Sequence, residues 1–227
     1  MNYLELCQEL RREAGLSGSG PSAVTAQSGM YEKIVGWVAE AYREILKMHP
    51  WQFAWARGTG TLVDGTADYT SITGITQLGR IYRTTVRDMT STGQPYLSFM
   101  TWPYFDRLDA TEEGAPRIFT RRPDGAIVFW PTPDAAYSIR MDYQKDGHAL
   151  AGNTDTPLIP DTSLHKVIVY KALTYYGLHD ENASAIQHGE RQFWMLIGQM
   201  ADRYLPRLVA QPRPLDEPED AITPELV

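Results

Sequence analysis

Apolar residues recur at helical spacing at both ends of the chain and at strand spacing in its middle. Tyr3, Cys7, Leu10 and Ala14 follow one another at steps of four, three and four, which puts a single apolar stripe on a short helix over residues 3–14. A second helix is predicted from Met30, where Met30, Ile34, Trp37, Ala41, Ile45 and Met48 keep the same period until Pro50 ends it. Between them, residues 15–29 contain four Gly, four Ser and a Pro, so neither helix nor strand has reason to persist. A loop of that length predicts an interaction surface or local disorder.

The period changes after Pro50. In residues 137–144, Tyr137, Ile139, Met141 and Tyr143 alternate strictly with Ser138, Arg140, Asp142 and Gln144, the pattern of a strand with one packed face and one wet face. The runs at 117–121 and 126–130 flank Arg122-Pro123-Asp124-Gly125, where Pro presets φ and Gly tolerates positive φ, so they should form a hairpin. Asp64-Gly65 suggests a second hairpin between residues 59–63 and 66–70. Pro131 and Pro133 separate the 126–130 strand from the long alternating one, and Gly58 with Gly60 suggests a bulged strand edge. Thr101 and Pro103 predict a short helix over 101–110.

Helical periodicity returns beyond the loop at 147–161. Asp161 or Thr162 caps a segment carrying Leu164, Val167, Ile168, Ala172, Tyr175 and Tyr176, with Gly177 as its stop. A last helix over 182–205 places Ile186, Phe193, Ile197, Met200 and Tyr204 on one side. The fold class is therefore α+β. Two N-terminal and two C-terminal helices (1–50 and 158–206) form a four-helix core, a β-rich insertion occupies 51–150, and residues 1–206 make one domain. Residues 207–227 are different in kind. From Pro206 on the chain holds five of its fifteen prolines, and from Pro212 on one Arg stands against five carboxylates. Such a segment cannot bury enough apolar surface to offset its ordering entropy, and should stay extended and free until something binds it.

Composition narrows the function classes. Lys and Arg number 21 against 28 Asp and Glu, a net charge of −7, which argues against a surface built to neutralise phosphates. The single cysteine, Cys7, excludes an intrachain disulfide and fits folding in a reducing cytoplasm; its place on an apolar stripe reads as packing, not as a nucleophile. No secretory signal and no membrane span is expected. The histidines at 49, 148, 165, 179 and 188 are dispersed, and His179-Asp180-Glu181 reads as an interhelical turn, so neither metal nor cofactor is expected. Asp106, Asp109, Glu112 and Glu113, beside Trp102 and Tyr104, are the group from which a glycosidase would draw its two carboxylates, although TEEGAP is also an ordinary polar turn. Trp51, Phe53 and Trp55, and Trp102, Tyr104 and Phe105, offer faces on which single-stranded bases stack, but in an acidic chain core and subunit packing explain them better. Arg117, Arg121 and Arg122, and Arg80, Arg83 and Arg87, read as water-facing strand residues or partner contacts.

Taken in order, YLELCQELRREAGLSGSGPSAVTAQSG with the following GWVAEAYREI helix, then PRIFTRRPDGAIVFWPTPDAAYSIRMDYQK, then DTPLIPDTSLHKVIVYKAL, resemble the head-tail adaptor (connector) proteins of tailed bacteriophages, those of short-tailed phages above all. The resemblance covers most of the chain except the tail and implies a noncatalytic virion protein at the head-tail interface. It implies a ring of twelve copies beneath the portal protein, its body made by the helices. The β-rich insertion then faces a downstream tail or nozzle protein or neighbouring subunits, and DNA passes through the channel without specific binding. The C-terminal segment would reach the portal. Leu208, Val209, Leu215, Ile222 and Leu226 are its apolar anchors, Pro212 and Pro214 keep it extended, and Asp216, Glu217, Glu219 and Asp220 seek basic grooves. The alternatives are a cell-wall glycoside hydrolase of a phage tail and a nucleic-acid binding module.

Overall fold

The computed structural model describes residues 1–81 and 86–205. Among them the protein is mixed α+β, with five helices and two four-stranded sheets, in two compact units. Among the described residues, one unit combines Met1–Ala54 with residues 147–205; the other is built from Trp55–Asp146.

In the first unit, α1 (Tyr3–Glu13) opens with a reciprocal cap: the Asn2 side chain accepts from the Glu5 amide, and the Asn2 amide donates to the Glu5 carboxylate. Its buried stripe is Tyr3, Leu6, Cys7 and Leu10. Helix α2 (Met30–Met48) buries Ile34, Val38, Ala41, Tyr42 and Ile45, leaving Met30, Trp37 and Met48 half-buried at the border of that face. Asp161 caps a 3-10 turn over Thr162–His165 by accepting from the Ser163 amide, and α4 (Lys166–His179) continues from it. Helix α5 (Ala183–Tyr204) starts at Asn182, whose side chain accepts from the Ala185 amide, and buries Gly189, Phe193, Ile197 and Met200. Side chains from α1, α2, α4 and α5 join one hydrophobic cluster. Helix α4 is wrapped most fully, with Val167, Ile168, Val169, Ala172, Leu173, Thr174, Tyr176 and Gly177 all buried, so it carries no clean wet face.

Two expectations change here. Gly177 does not stop α4, which runs on to His179. A Cβ at Gly177 would lie 2.7 Å from the Ile186 side chain and 2.9 Å from the Ile186 backbone nitrogen, and one at Gly189 would lie 2.9 Å from the Tyr170 carbonyl oxygen. The two glycines let α4 and α5 approach closely. Of the two expectations for the loop at 15–29, an interaction surface or local disorder, the second does not hold, since the loop is fastened to its own unit. Pro21 C=O accepts from the Gln8 side chain at 3.2 Å, Gly18 C=O from Arg11, and the Asn153 side chain accepts from the Val24 amide at 2.8 Å, with Val24 itself buried.

The second unit is two sheets around a core that includes Leu62, Tyr69, Ile81, Phe119, Phe129, Ile139 and Met141. In the first sheet, β8 (Tyr137–Lys145) is central. Strand β1 (Trp55–Leu62) pairs with it antiparallel and in unbroken register from Trp55↔Gln144 to Leu62↔Tyr137. On the opposite edge β3 (Leu78–Ile81) and β4 (Arg87–Asp88) pair with successive parts of β8. The second sheet runs β2 (Asp68–Tyr69), β7 (Ile127–Trp130), β6 (Ile118–Arg121), β5 (Ser98–Phe99), with only β5 and β6 parallel.

The predicted hairpin at 122–125 is present: β6 and β7 pair antiparallel, Arg122 N donates to Ala126 C=O at 2.8 Å, and Gly125 takes a φ of 92°. The second is not. Asp64-Gly65 does turn the chain, with Gly65 at φ 70° and its amide donating to Pro133 C=O at 2.7 Å, but β1 belongs to one sheet and β2 to the other. Turn chemistry fixes a reversal; which strand the chain then joins is decided by packing. Gly58 and Gly60 sit in the unbroken part of β1 and not at a bulge, because Tyr143, Ile72 and Ile75 occupy the space a Cβ would need. Helix α3 (Trp102–Phe105) begins at Thr101 as predicted, but it is one turn long and lacks a side-chain cap. Asp142, expected on the wet face of β8, is buried because Arg57 covers it.

Candidate functional site

The tail residues singled out in the sequence, Leu208, Val209, Pro212, Pro214, Leu215, Asp216, Glu217, Glu219, Asp220, Ile222 and Leu226, lie outside the described residues, as do Arg83 and its neighbours at 82–85. The remaining candidates are placed.

The four carboxylates next to α3 do not form a sheltered pair. Asp106, Asp109 and Glu113 are exposed and Glu112 half-buried. The Asp109 carboxylate accepts from the Thr111 hydroxyl and amide at 2.7 and 2.9 Å, and these bonds hold its pKa below the ordinary aspartate range. A general acid for glycoside cleavage needs the opposite shift. Glu112 lies 3.5 Å from Arg117, and the Asp109 carbonyl accepts from the Trp130 indole. These contacts describe a turn held against β7. Cys7 is fully buried, and burial pushes its thiol up to about 12, which leaves no thiolate for chemistry near neutral pH.

The histidines are absorbed by the fold. The Lys33 ammonium donates to Nε2 of His179 at 2.6 Å, His165 Nε2 donates to the Ile159 carbonyl at 2.8 Å, and His148 Nδ1 lies 2.8 Å from the Tyr42 hydroxyl, which accepts from the Leu158 amide. Among the described residues no group of three His, Cys, Asp or Glu side chains is arranged to hold a metal ion. A shallow polar groove lined by Asp161, Ser163, Leu164, Gln199, Asp202 and Arg203 is crossed by the Asp161–Arg203 ion pair.

Of the aromatic clusters, Trp51 is core: it stacks on Phe53 at 5.6 Å, and its indole donates to Ile45 C=O. Phe105 is also buried and stacks on Trp102 at 6.0 Å, whereas Tyr104 and Trp55 are exposed. Several arginines of the β-rich unit are engaged locally. Arg122 bridges Asp68 and Asp124 at 2.5 and 2.8 Å, which raises its pKa through those bonds, and Arg121 donates to Gly79 C=O at 3.0 Å. Arg57 holds Asp142 through two parallel hydrogen bonds of 2.6 and 2.9 Å, while Arg87 stacks on Tyr96 with 3.8 Å between guanidinium carbon and ring centroid.

The exposed apolar side chains offer a second kind of candidate. In the helical unit Leu178, Trp194 and Met195 are 67%, 61% and 52% exposed, although Trp194 and Met195 interrupt an otherwise polar helix face. The sequence reading did not single them out, although the stripe through Phe193, Ile197 and Met200 leaves Trp194 and Met195 pointing elsewhere. The arginine pairs across β1, β8 and β4 were not marked, since they depend on register between strands about eighty and fifty residues apart.

The geometry is thus that of a protein with apolar and charged surfaces to offer and no enclosed reaction centre among the placed candidates. No helix among the described residues is long and apolar enough to cross a membrane. Comparison with curated proteins gave no match. The family model for the SU10 adaptor protein, in contrast, matches residues 1–214, spanning both units and the start of the tail. The chain belongs to the SU10 adaptor protein family, in keeping with its resemblance to bacteriophage head-tail adaptors.

Proposed function

We propose that the protein is a structural, noncatalytic subunit of a ring of twelve copies that joins the portal protein of a DNA-filled phage head to the downstream tail or nozzle protein. The observation that carries this reading is the family match, which runs through both units without interruption. The four long helices form the ring body, and exposed Trp194 and Met195 supply apolar area to contacts between copies, where aromatic and Met side chains are favoured. The duplex passes through the central channel without specific binding, in keeping with the net charge of −7. The protein acts in the virion, at the head-tail interface.

The C-terminal segment is the portal strap. Leu208, Val209, Leu215, Ile222 and Leu226 seat in apolar pockets, Asp216, Glu217, Glu219 and Asp220 meet basic groups, and Pro212 and Pro214 reduce the entropy lost on docking. Ordering only on the partner suits stepwise assembly on a filled head. Deleting residues 211–227 tests it: the shortened chain should remain folded and soluble but no longer sediment with portal-bearing heads. Attachment equal to that of the full chain would refute the strap.

A further inference from the structure

The wet face of the first sheet carries a charge opposite to that of the whole chain. Strand β1 presents Trp55, Arg57 and Thr59 there, and β8 presents Arg140 and, covered by Arg57, Asp142, as the pairing register of the two strands requires. Arg87 of β4 stands directly opposite Arg140. Two like charges at facing positions of an antiparallel pair repel, and a fold keeps such a pair more easily when an anion lies over it. Tyr96 takes one face of the Arg87 guanidinium; Arg140 has no ion pair with any described residue. Arg87 and Arg140 thus face each other beside the Arg57–Asp142 ion pair, edged by the exposed rings of Trp55 and Tyr96.

The chain's own C-terminal segment matches this face. From Pro212 it carries one Arg and five carboxylates, four of them clustered as Asp216, Glu217, Glu219 and Asp220, with Leu215 and Ile222 on either side. Residues 215–222 span about 25 Å when extended, comparable with the length of the face along β1. We infer that the acidic segment 215–222 of this chain is the ligand of the arginine face, held there while no portal is present, with its carboxylates over Arg87 and Arg140 and its apolar residues against Trp55 and Tyr96. This rests on the reading of the segment as the portal strap and replaces the expectation that it is wholly free beforehand. The portal then has to displace it, so the strap is handed from one basic surface to another. Ion pairs on an open sheet are weak and salt-sensitive, which makes the contact easy to displace.

The test uses the full chain with Thr223→Cys carrying a spin label; native Cys7 is buried and stays unlabelled. At low salt the label should broaden the Trp55 indole and Arg87 Nε–H resonances, and the broadening should disappear at 0.5 M NaCl, roughly where the Debye length falls to about 4 Å. R87Q/R140Q should lose the broadening at Trp55 at every salt concentration. D216N/E217Q/E219Q/D220N, which leaves the folded units untouched, should lose it equally. No broadening in the parent protein at low salt, or broadening that survives both sets of substitutions, overturns the inference. So does a labelled 20-nucleotide single strand that binds the parent protein but not R87Q/R140Q while the tail label stays mobile, because the face would then be a phosphate site. Portal attachment, measured separately by the 211–227 deletion, stands or falls independently of these outcomes.

Discussion

The four glycines inside long helices make opposite predictions for one substitution. In an open helix position Gly→Ala stabilises by about 1 kcal/mol, because alanine loses less backbone entropy on folding. Gly36 of α2 and Gly198 of α5 are such positions: a Cβ built on either meets nothing within 4 Å. Gly177 and Gly189 are not. The new methyl at Gly177 would press on the Ile186 backbone nitrogen at 2.9 Å and the Asn182 carbonyl oxygen at 3.1 Å; at Gly189 it would press on Tyr170 O at 2.9 Å and Thr174 N at 3.2 Å. Backbone atoms of a packed helix pair cannot step aside as a side-chain end can, and overpacking of this kind costs about 1–3 kcal/mol. Subtracting the propensity gain leaves a net loss of about 0–2 kcal/mol for G177A and G189A. For a chain of this size each kcal/mol moves the melting midpoint by about 2–4 °C. Far-UV circular dichroism melts of the four variants should therefore show G36A and G198A rising by about 2–4 °C, while G177A and G189A gain nothing and fall by up to about 8 °C. If all four rise together, α4 and α5 are not in close contact at these glycines and the account of the helical core is wrong.

Three further outcomes follow from side chains already placed. A double-mutant cycle on Arg57→Gln and Asp142→Asn should give a measurable favourable coupling, since the bidentate bond is charge-assisted although the Arg57 side chain is half exposed; zero coupling in urea unfolding would remove this pair from the sheet's stabilisation. Cys7 should be silent to a thiol reagent at pH 8 until the protein is unfolded, because its thiol is buried and pushed up to about 12; rapid native-state reaction would contradict the α1 packing. Glu9 is held below its ordinary range by the hydrogen bond from Lys166, at 2.9 Å, with Arg12 adding to it. A carboxylate whose pKa is lower folded than unfolded adds stability above its unfolded value, near 4.3, and that stability is lost as pH falls through the folded value. The melting difference between parent and Glu9→Gln should then be largest at neutral pH and vanish in acid, and a difference that grows in acid would reverse the assignment.

Much of the secondary structure was legible because local chemistry dictates it. The Asn182 and Asp161 caps, the Pro123-Asp124-Gly125 turn and the alternation along β8 each work over a few residues. What was not legible depends on partners distant in sequence. Gly177 looks like a stop because glycine ends helices, but close approach to α5 is an equally good reason for it and is visible only once Ile186 is seen against it. Asp64-Gly65 signals a reversal without naming the sheet the chain enters next, and Asp142 alternates like a wet residue until Arg57 is laid over it by β1. The candidate surfaces divide the same way. Trp194 and Met195 fall visibly outside the α5 stripe, whereas the facing of Arg87 and Arg140 depends on a strand register that no local pattern encodes. Aromatic richness was the least specific signal, since it covered buried Trp51 and exposed Trp55 alike.

The most direct measurement of the assembly reading is electron microscopy of the full chain mixed with its portal protein. Neighbouring copies on a template raise one another's effective concentration, so a chain that is monomeric alone should still form a closed annulus of twelve copies on the portal, with an open channel along its axis. Portal particles that stay bare at saturating concentrations of a folded chain would contradict it.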